Sequence, residues 1–397
     1  MAIEGRSDAV AGRIRLGMVG GGQGAFIGAV HRLAARMDDH YEFVAGALSS
    51  DPKRAKASGD ELGLAADRIY TDFHDMAKTE ARRRDGIEAV AIVTPNHMHF
   101  PTAKAFIEAG FHVICDKPVT LNLKEALALE KLLAKRKDVV FALTHNYSGY
   151  PMIRQARAMV AAGELGDIRL VQSEYPQDWL TEPIERQGQK QASWRTDPTK
   201  TGAGGCIGDI GTHAYQLATF VSGLALDELA ADLTTFVKGR KVDDNVHVLL
   251  RFEGGARGML FASQVAPGNE NGLKLRVYGS KGGIEWTQAD PNYLWYTPHG
   301  EPKRLITRGG AGSGAAAGRV TRVPPGHPEG YLEGFANIYT EVARAIKARR
   351  AGKKPDKDVQ FPGIADGIAG MAFVETCVKS SARNGKWTKV WPGTNAR

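Results

Sequence analysis

The sequence predicts an α/β domain built on a doubly wound parallel sheet, followed by an α+β domain with a large, mostly antiparallel, open-faced sheet. Strands alternate with helices between residues 14 and 145, which is the pattern of a parallel sheet covered by helices on both faces. From residue 168 onward several strands follow one another with few helices between them, which indicates antiparallel pairing. We therefore assign residues 1–12 to an N-terminal tail, residues 13–147 to the first domain and residues 148–397 to the second.

Length and composition narrow the class of protein. The chain has 397 residues, enough for two domains, and its 43% hydrophobic and 24% charged content is ordinary for a globular protein. No apolar run approaches the ~20 residues that span a bilayer, and the first residues lack the apolar stretch of a signal peptide. We therefore predict no membrane partner. Because Ile3–Arg6 match a protease-cleavage linker, we exclude the tail from fold reasoning. The three scattered cysteines argue against a disulfide framework or a zinc site and fit a reducing cytoplasm.

The formal net charge of +8 includes two basic clusters, Arg82–Arg84 and Lys135–Lys137. Both lie where helices are predicted to end, and neither is interleaved with aromatic residues. We therefore predict solvated helix ends and no nucleic-acid partner. A modest positive field still favours an anionic cofactor.

A glycine-rich turn follows the first strand, Ile14–Val19, and leads directly into a helix. Its pattern is G-x-G-x-x-A, in which the three positions allow a tight turn, close approach of a pyrophosphate and close packing of helix on strand. The helix N-terminus offers unpaired N–H groups to phosphates. The turn therefore predicts a dinucleotide-binding domain, with cofactor contacts at Gly20, Gly22, Gln23, Gly24, Ala25 and Phe26.

The end of the second strand, Phe43–Leu48, bears on the choice of cofactor. A carboxylate there would bind the adenine-ribose 2′-hydroxyl and disfavour a 2′-phosphate, but this chain has Ser49 at that place. Cations follow shortly, which permits NADP, while Asp51 would serve a 2′-hydroxyl if the loop bends back. NAD and NADP both stay open, with Ser49, Ser50 and Lys53 as candidate contacts.

Polar loops follow the next predicted strands. After a short strand at Arg68–Tyr70, the strand Ala89–Val93 ends in a loop of candidate cofactor contacts: Thr94, Pro95, Asn96, His97 and His99. The two histidines have no third ligand nearby in sequence, so we predict a cofactor-lining loop and no metal. The strand Val139–Leu143 ends at Asn146, a candidate cofactor contact, and Tyr147, a candidate substrate contact.

The apolar run Phe111–Ile114 predicts a buried strand that ends at Cys115. Residues just past such a strand face the crevice in which open α/β sheets bind ligands. Asp116, Lys117 and Pro118 are therefore candidate cofactor contacts, and Lys117 is also a candidate catalytic group. Taken alone, Lys117 fits a solvated strand-end charge equally well.

The second domain carries another constellation after the glycines that precede Cys206. Asp209 and His213 are four residues apart and would share one face of a helix. A histidine can accept a proton near neutral pH, and a carboxylate one turn away can orient it or bind a substrate hydroxyl. The structural alternative is an acidic residue that stabilises the helix N-terminus beside a satisfied histidine.

Other polar residues of this domain are also candidates. Trp194 and Arg195 are candidate cofactor contacts, since the pair suits a sugar face or a cofactor carboxamide or phosphate, although a domain-interface ion pair fits equally. Asp243–Asn245 and the loop around His327 are weaker candidates of the same kind, and the glycine-rich stretch Arg308–Pro328 predicts a long mobile loop. The predicted substrate contacts are Lys117, Tyr147, Tyr175, Gln177, Asp178, Asp209, His213 and His327.

Five motifs in order carry a family resemblance: G-x-G-x-x-A, T-P-N-x-x-H, D-K-P where E-K-P is usual, W-R, and G-G-x-x-x-D-x-x-x-H. Together they resemble the Gfo/Idh/MocA oxidoreductases, which include glucose–fructose oxidoreductase and inositol dehydrogenases. The resemblance covers the chain from Ile14 onward. It implies a Rossmann domain, a second domain on an open sheet that binds substrate, and a homodimer or homotetramer formed through that sheet.

The resemblance also implies roles for single residues. It places the catalytic lysine on Lys117, and the substrate-binding acid and catalytic histidine on Asp209 and His213. The T-P-N-x-x-H loop would lie along the nicotinamide, and Asp116 is a shorter carboxylate than the usual glutamate. The stretch Ser49–Lys56 resembles the NADP-using glucose–fructose enzyme more than the NAD-specific members.

The expected function is an NAD(P)-dependent dehydrogenase that oxidises a secondary hydroxyl of an inositol, a sugar or a glycoside. Two alternatives stay open. One is a glycosidase that retains its nicotinamide and eliminates the aglycone after transient oxidation. The other is a non-catalytic cofactor-binding sensor, against which the presence of Lys117, Asp209 and His213 together argues.

Overall fold

The computed structural model describes residues 12–390, which form two compact units. The first unit contains the chain to Thr120, then Lys124–Gly149 and Tyr331–Gly367. The second contains Leu121–Leu123, Tyr150–Gly330 and the chain from Ile368. The predicted division was linear, whereas Tyr331–Gly367 returns to the first unit. The possible linker Ile3–Arg6 lies outside the described residues.

The first unit contains a five-stranded parallel sheet in the order β2-β1-β3-β4-β5. Its elements up to residue 143 are β1 Ile14–Gly20, α1 Phe26–Met37, β2 Tyr41–Ala47, α2 Pro52–Glu61, α3 Phe73–Glu80, β3 Ala89–Val93, α4 His99–Ala109, β4 His112–Cys115, α5 Leu123–Lys135 and β5 Phe141–Leu143. The predicted strand at Arg68–Tyr70 is reduced to one bridge between Ile69 and Gly46, because a 3₁₀ turn occupies Ala66–Arg68.

The remaining elements follow in chain order. They are α6 Pro151–Ala161, β6 Ile168–Pro176, α7 Lys190–Arg195, α8 Pro198–Thr201, a π-helical turn Ile207–Gly211, α9 Thr212–Ser222, β7 Leu226–Thr234, β8 Asn245–Phe252, β9 Arg257–Ser263, β10 Lys274–Gly279, β11 Gly282–Thr287, β12 Tyr293–Pro298, β13 Arg304–Thr307, α10 Ala315–Gly318, α11 Tyr331–Arg350, α12 Ile364–Ser381 and β14 Thr388–Lys389. Helix α11 lies in the first unit and packs on α1.

The second unit contains a nine-stranded sheet in the order β13-β12-β11-β10-β6-β9-β8-β7-β14. Every neighbouring pair is antiparallel except β6 and β9, which run parallel. The predicted fold class is confirmed in both units. No helix within residues 12–390 combines the length and apolar character needed to cross a membrane.

One face of the large sheet packs on α9, and the other is open. Ser173 of β6 points to the covered face, where its hydroxyl donates to the carbonyl of Ala214 in α9. The opposite face carries Leu170, Leu249 and Met259, which are 46%, 55% and 46% exposed. The alternation of side chains along each strand therefore leaves an apolar surface on the open side.

The stretch predicted as a long mobile loop is tethered by a buried ion pair. Arg308 donates from Nη1 to Glu329 Oε1 at 3.1 Å, and both side chains are 2% exposed. The same carboxylate oxygen accepts from the backbone N–H of Val323 at 2.9 Å. The guanidinium also binds the backbone carbonyls of Val323, Pro324 and His327. The loop is thus anchored from inside, which composition alone does not reveal.

Glu329→Gln is expected to lower the free energy of unfolding by about 3–5 kcal/mol, because it leaves the Arg308 guanidinium buried without its counter-charge. Urea unfolding followed by circular dichroism measures this. The matched control is Glu301→Gln, which breaks an exposed pair with Arg304 and should cost no more than about 1 kcal/mol. Equal losses in the two variants would contradict the anchoring role.

Candidate active site

The glycine turn after β1 is shaped to admit a ligand close to its backbone. Gly20 has φ +81°, in the left-handed region that favours glycine. A β-carbon there would lie 2.9 Å from the carbonyl oxygen of Val93. At Gly22 a β-carbon would lie 2.7 Å from the carbonyl oxygen of Leu48. Both positions therefore require glycine, and the turn offers a cradle of bare backbone.

The close contact between α1 and the glycine turn is made at Gly28, which corrects one detail of the predicted pattern. The predicted pattern assigned the close packing of helix on strand to Ala25, but α1 begins only at Phe26. A β-carbon on Gly28 would lie 2.4 Å from the α-carbon of Gly21. The longer turn moves the close contact of helix and strand into the first turn of α1. Because α1 lacks a side-chain N-cap, its first N–H groups are available to an anion.

Gln23 and Gly24 complete the turn. The backbone N–H of Gln23 donates to Ser58 Oγ at 3.1 Å, and its side-chain amide donates to Glu61 Oε2 at 3.0 Å. Gly24 has φ +75°. These contacts tie the turn to α2.

The residues after β2 do not select between NAD and NADP. Asp51 caps α2, because its Oδ1 accepts from the backbone N–H of Arg54 at 2.7 Å. Ser49 Oγ accepts from the N–H of Asp51 at 3.2 Å. Ser50 and Lys53 are exposed. The carboxylate considered for a ribose hydroxyl thus already has a local role.

Three buried polar atoms at the carboxyl ends of β3 and β5 have no hydrogen-bond partner among the described residues. They are Thr94 Oγ1, His97 Nδ1 and Asn146 Nδ2. Buried polar atoms are nearly always paired in folded proteins, so these three are candidates for contact with a ligand. Together with the glycine cradle at the same edge of the sheet, they fit the amide, hydroxyl and phosphate groups of NAD(P).

The rest of the T-P-N-x-x-H loop is held in place by His99. Pro95 precedes a 3₁₀ turn that begins at the buried Asn96. The His99 ring lies with Nδ1 2.6 Å from the carbonyl oxygen of Pro118 and Nε2 2.9 Å from that of Thr94. Burial lowers the pKa of His99, while the two carbonyls oppose that shift. The ring thus lies between two backbone carbonyls, and its one N–H donates to one of them.

No group of three or more His, Cys, Asp or Glu side chains in residues 12–390 is arranged to hold a metal ion.

Lys117 follows β4 and is half-buried, and its peptide bond to Pro118 is cis. The preceding carboxylate turns back on its own loop. Asp116 Oδ1 accepts from the backbone N–H of Lys117 and from Thr144 Oγ1, each at 2.9 Å. These two bonds fix the backbone from which the lysine side chain extends. Tyr147 lies in the 3₁₀ turn after β5 and is 3% exposed.

In the second unit, Asp209 and His213 are presented by an irregular helix start. Asp209 lies in the π-helical turn, and His213 is the second residue of α9. Such turns are rare and are frequent at functional sites. The sequence argument assumed regular α-helix, but a spacing of four still spans about one turn.

The Asp243 carboxylate binds the backbone at the start of this turn. Its two oxygens accept from the backbone N–H groups of Gly205 at 2.7 Å and Ile207 at 2.8 Å. Burial raises the pKa of Asp243 to about 6. The following carboxylate, Asp244, forms an ion pair with the buried Arg240 at 3.2 Å. These two acidic residues, weak site candidates in the sequence, therefore support the backbone.

Asp209 is clamped by two donors. Its Oδ2 accepts from Arg195 Nε at 3.1 Å and from Gln264 Nε2 at 2.8 Å. The Arg195 guanidinium lies over the Trp194 ring at 4.1 Å, which limits its movement. Of the roles considered for the W-R pair, the structure displays an ion pair within the second unit.

Polar side chains at the end of β6 form a second group. The rings of Tyr175 and His213 meet edge to face, with centroids 6.1 Å apart. Tyr175 OH donates to Asn271 Oδ1 at 2.7 Å, and Gln177 Nε2 donates to the same oxygen at 2.8 Å. Trp179 Nε1 in turn donates to Gln177 Oε1 at 3.1 Å. The structure thus brings Tyr175, Gln177 and His213 into one polar neighbourhood.

Two predicted substrate contacts have other local partners. Asp178 Oδ2 accepts from the backbone N–H of Gly268 at 3.2 Å. His327 is exposed, and its carbonyl binds the anchoring Arg308.

Gln264 and Asn271 were missed by sequence reasoning. Strand β9 runs parallel to β6, with Pro176 paired to Ser263, so both strands end at one edge of the sheet. Gln177 and Gln264 directly follow those two ends. A parallel pair inside an otherwise antiparallel sheet has no local sequence signal, although polar residues just past a strand end are a usable hint.

Known proteins match both parts of the chain. Residues 14–155 match the model of an oxidoreductase family with an NAD-binding Rossmann fold, and residues 153–285 match the GFO/IDH/MocA C-terminal domain. A relative, the uncharacterized oxidoreductase YfiI of Bacillus subtilis, is 36% identical over 380 residues, which are 95% of this chain and 96% of that protein.

Two solved structures extend the comparison. An oxidoreductase from Sinorhizobium meliloti is 61% identical with a TM-score of 0.87, covering 96% of this chain and 100% of that one. An inositol dehydrogenase homologue from Azotobacter vinelandii, complexed with NADH and myo-inositol, is 36% identical with a TM-score of 0.88, covering 96% and 98%.

These matches confirm the resemblance that the motifs predicted. The Rossmann domain and the dehydrogenase relatives establish an NAD(P)-dependent oxidoreductase. The glycine cradle and the unpaired polar atoms of the first unit are the features of this chain that fit that cofactor. The chain belongs to the GFO/IDH/MocA family of oxidoreductases.

Proposed function

We propose that the protein oxidises a secondary hydroxyl of a polyhydroxylated substrate, an inositol, a sugar or a glycoside. The observation that carries this proposal is the clamped Asp209 carboxylate one turn before His213. Arg195 and Gln264 hold its Oδ2, which fixes the orientation of the carboxylate that would bind a substrate hydroxyl. The neighbouring amides and phenol suit a substrate with several hydroxyl groups. The myo-inositol bound to the Azotobacter vinelandii homologue supports the same substrate class.

The first unit would hold the cofactor. The Gly20–Phe26 turn and the N-terminus of α1 would bind the pyrophosphate, and Thr94, His97 and Asn146 would bind the nicotinamide side. Bound NAD(P) supplies the nicotinamide carbon that exchanges a hydride with the substrate. The chain's own contribution is to orient the substrate carbon and to manage the hydroxyl proton.

Three side chains would handle the substrate. His213 accepts the hydroxyl proton at a ring nitrogen as the substrate carbonyl forms. The Lys117 ammonium donates a hydrogen bond to the same oxygen and stabilises the negative charge that develops there. Asp209 accepts a hydrogen bond from a neighbouring hydroxyl and fixes which carbon reacts.

A panel of inositols, free sugars and glycosides, assayed with NAD and NADP separately, tests the proposal. We expect formation of reduced nucleotide with at least one cyclic polyol or sugar. Release of an aglycone without net nucleotide reduction would indicate the glycosidase alternative. Tight cofactor binding with no turnover on any member would overturn the dehydrogenase assignment and favour a sensor.

We further propose a homodimer or homotetramer formed through the open face of the nine-stranded sheet. Leu249→Glu places a charge on the most exposed of the large apolar residues on that face and should shift the protein to a smaller species in light scattering. Leu33→Glu, which changes a 49% exposed leucine on α1, is the matched control and should leave the assembly intact. An unchanged mass for Leu249→Glu would contradict this interface.

We place the protein in the cytoplasm. Cys115, Cys206 and Cys377 are buried free thiols, and burial raises the pKa of each. Such thiols suit a reducing compartment.

A further inference from the structure

A buried histidine near Asp116 has no role in the proposed proton transfer. His31 lies on α1 and is 0% exposed. Its Nδ1 is 2.8 Å from the phenol oxygen of Tyr339 on α11. Its Nε2 is 4.0 Å from Asp116 Oδ1, beyond hydrogen-bond length, and has no hydrogen-bond partner among the described residues. Asp116 is the residue that binds the Lys117 backbone.

Aromatic neighbours prevent the His31 ring from turning. Phe335 lies against it at 5.1 Å between centroids, and Tyr339 meets it edge to face at 5.8 Å. Separately, the backbone carbonyl of Tyr339 accepts from Tyr41 OH at 2.9 Å. Each ring nitrogen therefore faces a fixed group: Nδ1 faces the Tyr339 phenol, and Nε2 faces the Asp116 carboxylate.

This packing decides which nitrogen carries the hydrogen. Burial lowers the pKa of His31 to about 4, so the ring is neutral at neutral pH and has one N–H. If the hydrogen were on Nδ1, the Nε2 lone pair would face the Asp116 carboxylate, and the phenol would lose its acceptor. If it is on Nε2, Tyr339 donates to Nδ1 and the N–H dipole points at the carboxylate. The second arrangement aims every polar hydrogen at an acceptor.

Asp116 transmits this arrangement to the lysine. Its Oδ1 also accepts from the Lys117 backbone N–H and from Thr144 Oγ1. Two donors therefore hold this oxygen, one of them the backbone N–H of the proposed catalytic residue. The His31 Nε2–H faces the same oxygen from 4.0 Å and acts on it only as a dipole.

We infer that Tyr339 and His31 are positioning residues for Lys117. Tyr339 keeps the hydrogen on His31 Nε2, the N–H dipole holds the Asp116 carboxylate, and Asp116 holds the Lys117 backbone. The inference rests on the proposed function, in which the Lys117 ammonium binds the reacting oxygen.

The first test compares two variants that each remove one buried phenol hydroxyl. Tyr339→Phe should lower kcat on the substrate found in the panel by about tenfold, with little change in KM, because the lysine is displaced by a fraction of an ångström. Tyr41→Phe removes the hydroxyl that binds the Tyr339 carbonyl but leaves the phenol and His31 in contact. Its kcat should stay near wild type. Equal kcat values in the two variants would overturn the inference.

The second test uses the two amides that mimic opposite nitrogens of histidine. His31→Gln can place an N–H where Nε2 lies and should retain most of kcat. His31→Asn can reach only the Nδ1 position and should lose about tenfold, like Tyr339→Phe. A merely structural role predicts the reverse order or no difference, since asparagine retains the bond to Tyr339.

The third test needs no turnover. Spectra of ¹⁵N-histidine-labelled protein, assigned with the His31→Gln variant, should show His31 with its hydrogen on Nε2. In Tyr339→Phe the Nδ1–H form should appear, whereas Tyr41→Phe should match wild type. A wild-type ring protonated on Nδ1 would overturn the inference. Should Lys117→Ala leave kcat unchanged, the proposed function fails, while the NMR result still reports on the His31 arrangement separately.

Discussion

Lys117→Ala is expected to lower kcat by a factor of about 10²–10³ on the substrate identified in the panel, which is typical for loss of one donor to a developing oxyanion. Steady-state kinetics with saturating nucleotide measure the effect. Because Lys117 is half-buried at the end of β4 and its backbone is held by Asp116, the change removes one ammonium from a fixed position. The free energy of unfolding should change little.

Lys104→Ala is the matched control for this variant. Lys104 is a half-exposed lysine of the same unit, and its ammonium pairs with Glu108 one turn along α4 at 3.1 Å. Its kcat should equal that of wild type. If Lys117→Ala also turned over at the wild-type rate, Lys117 would be a solvated strand-end charge, and its catalytic assignment would be wrong.

His213→Ala is expected to lower kcat by a factor of about 10²–10⁴, the range for loss of a general base. The loss should be larger at neutral pH than at high pH, because hydroxide in the solvent replaces the missing base as its concentration rises. Added imidazole should restore part of the rate. The measurement is kcat over a range of pH, with and without imidazole.

His247→Ala provides the control in the same unit. His247 is an exposed residue of β8 that stacks on Phe261 at 5.0 Å, so its loss removes an imidazole without touching α9. Its kcat should not change at any pH. A His213→Ala variant that keeps the wild-type rate, or loses it equally at all pH values, would exclude His213 as the base.

Much of the first unit could be predicted because its signals are local. The glycine turn, the apolar run before Lys117 and the polar residues after each strand lie within a few residues of the structure that they determine. One local detail was wrong: close packing of helix on strand is at Gly28, since an extended turn keeps the same glycine chemistry with different spacing. The third strand also shrank to the single bridge at Ile69.

Only part of the candidate site in the second unit could be predicted from the sequence. Asp209 and His213 stand close in the sequence, so their helical spacing could be recognised. Gln264, which clamps Asp209, lies 55 residues further along the chain. Arg195 was ambiguous because a guanidinium beside a tryptophan suits several partners, and only the folded chain brings the Asp209 carboxylate to it.

The sequence by itself determined the fold class and the family, and it predicted the reactive groups. These depend on short-range patterns: hydrophobic periodicity, glycine at strained backbone positions, and lysine, aspartate and histidine at motif positions. The tertiary structure decided the supporting partners. It set β6 beside β9, turned Asp116 toward Thr144, and enclosed His31 between Tyr339 and Asp116. Those partners are up to 308 residues apart, and only chain packing selects them.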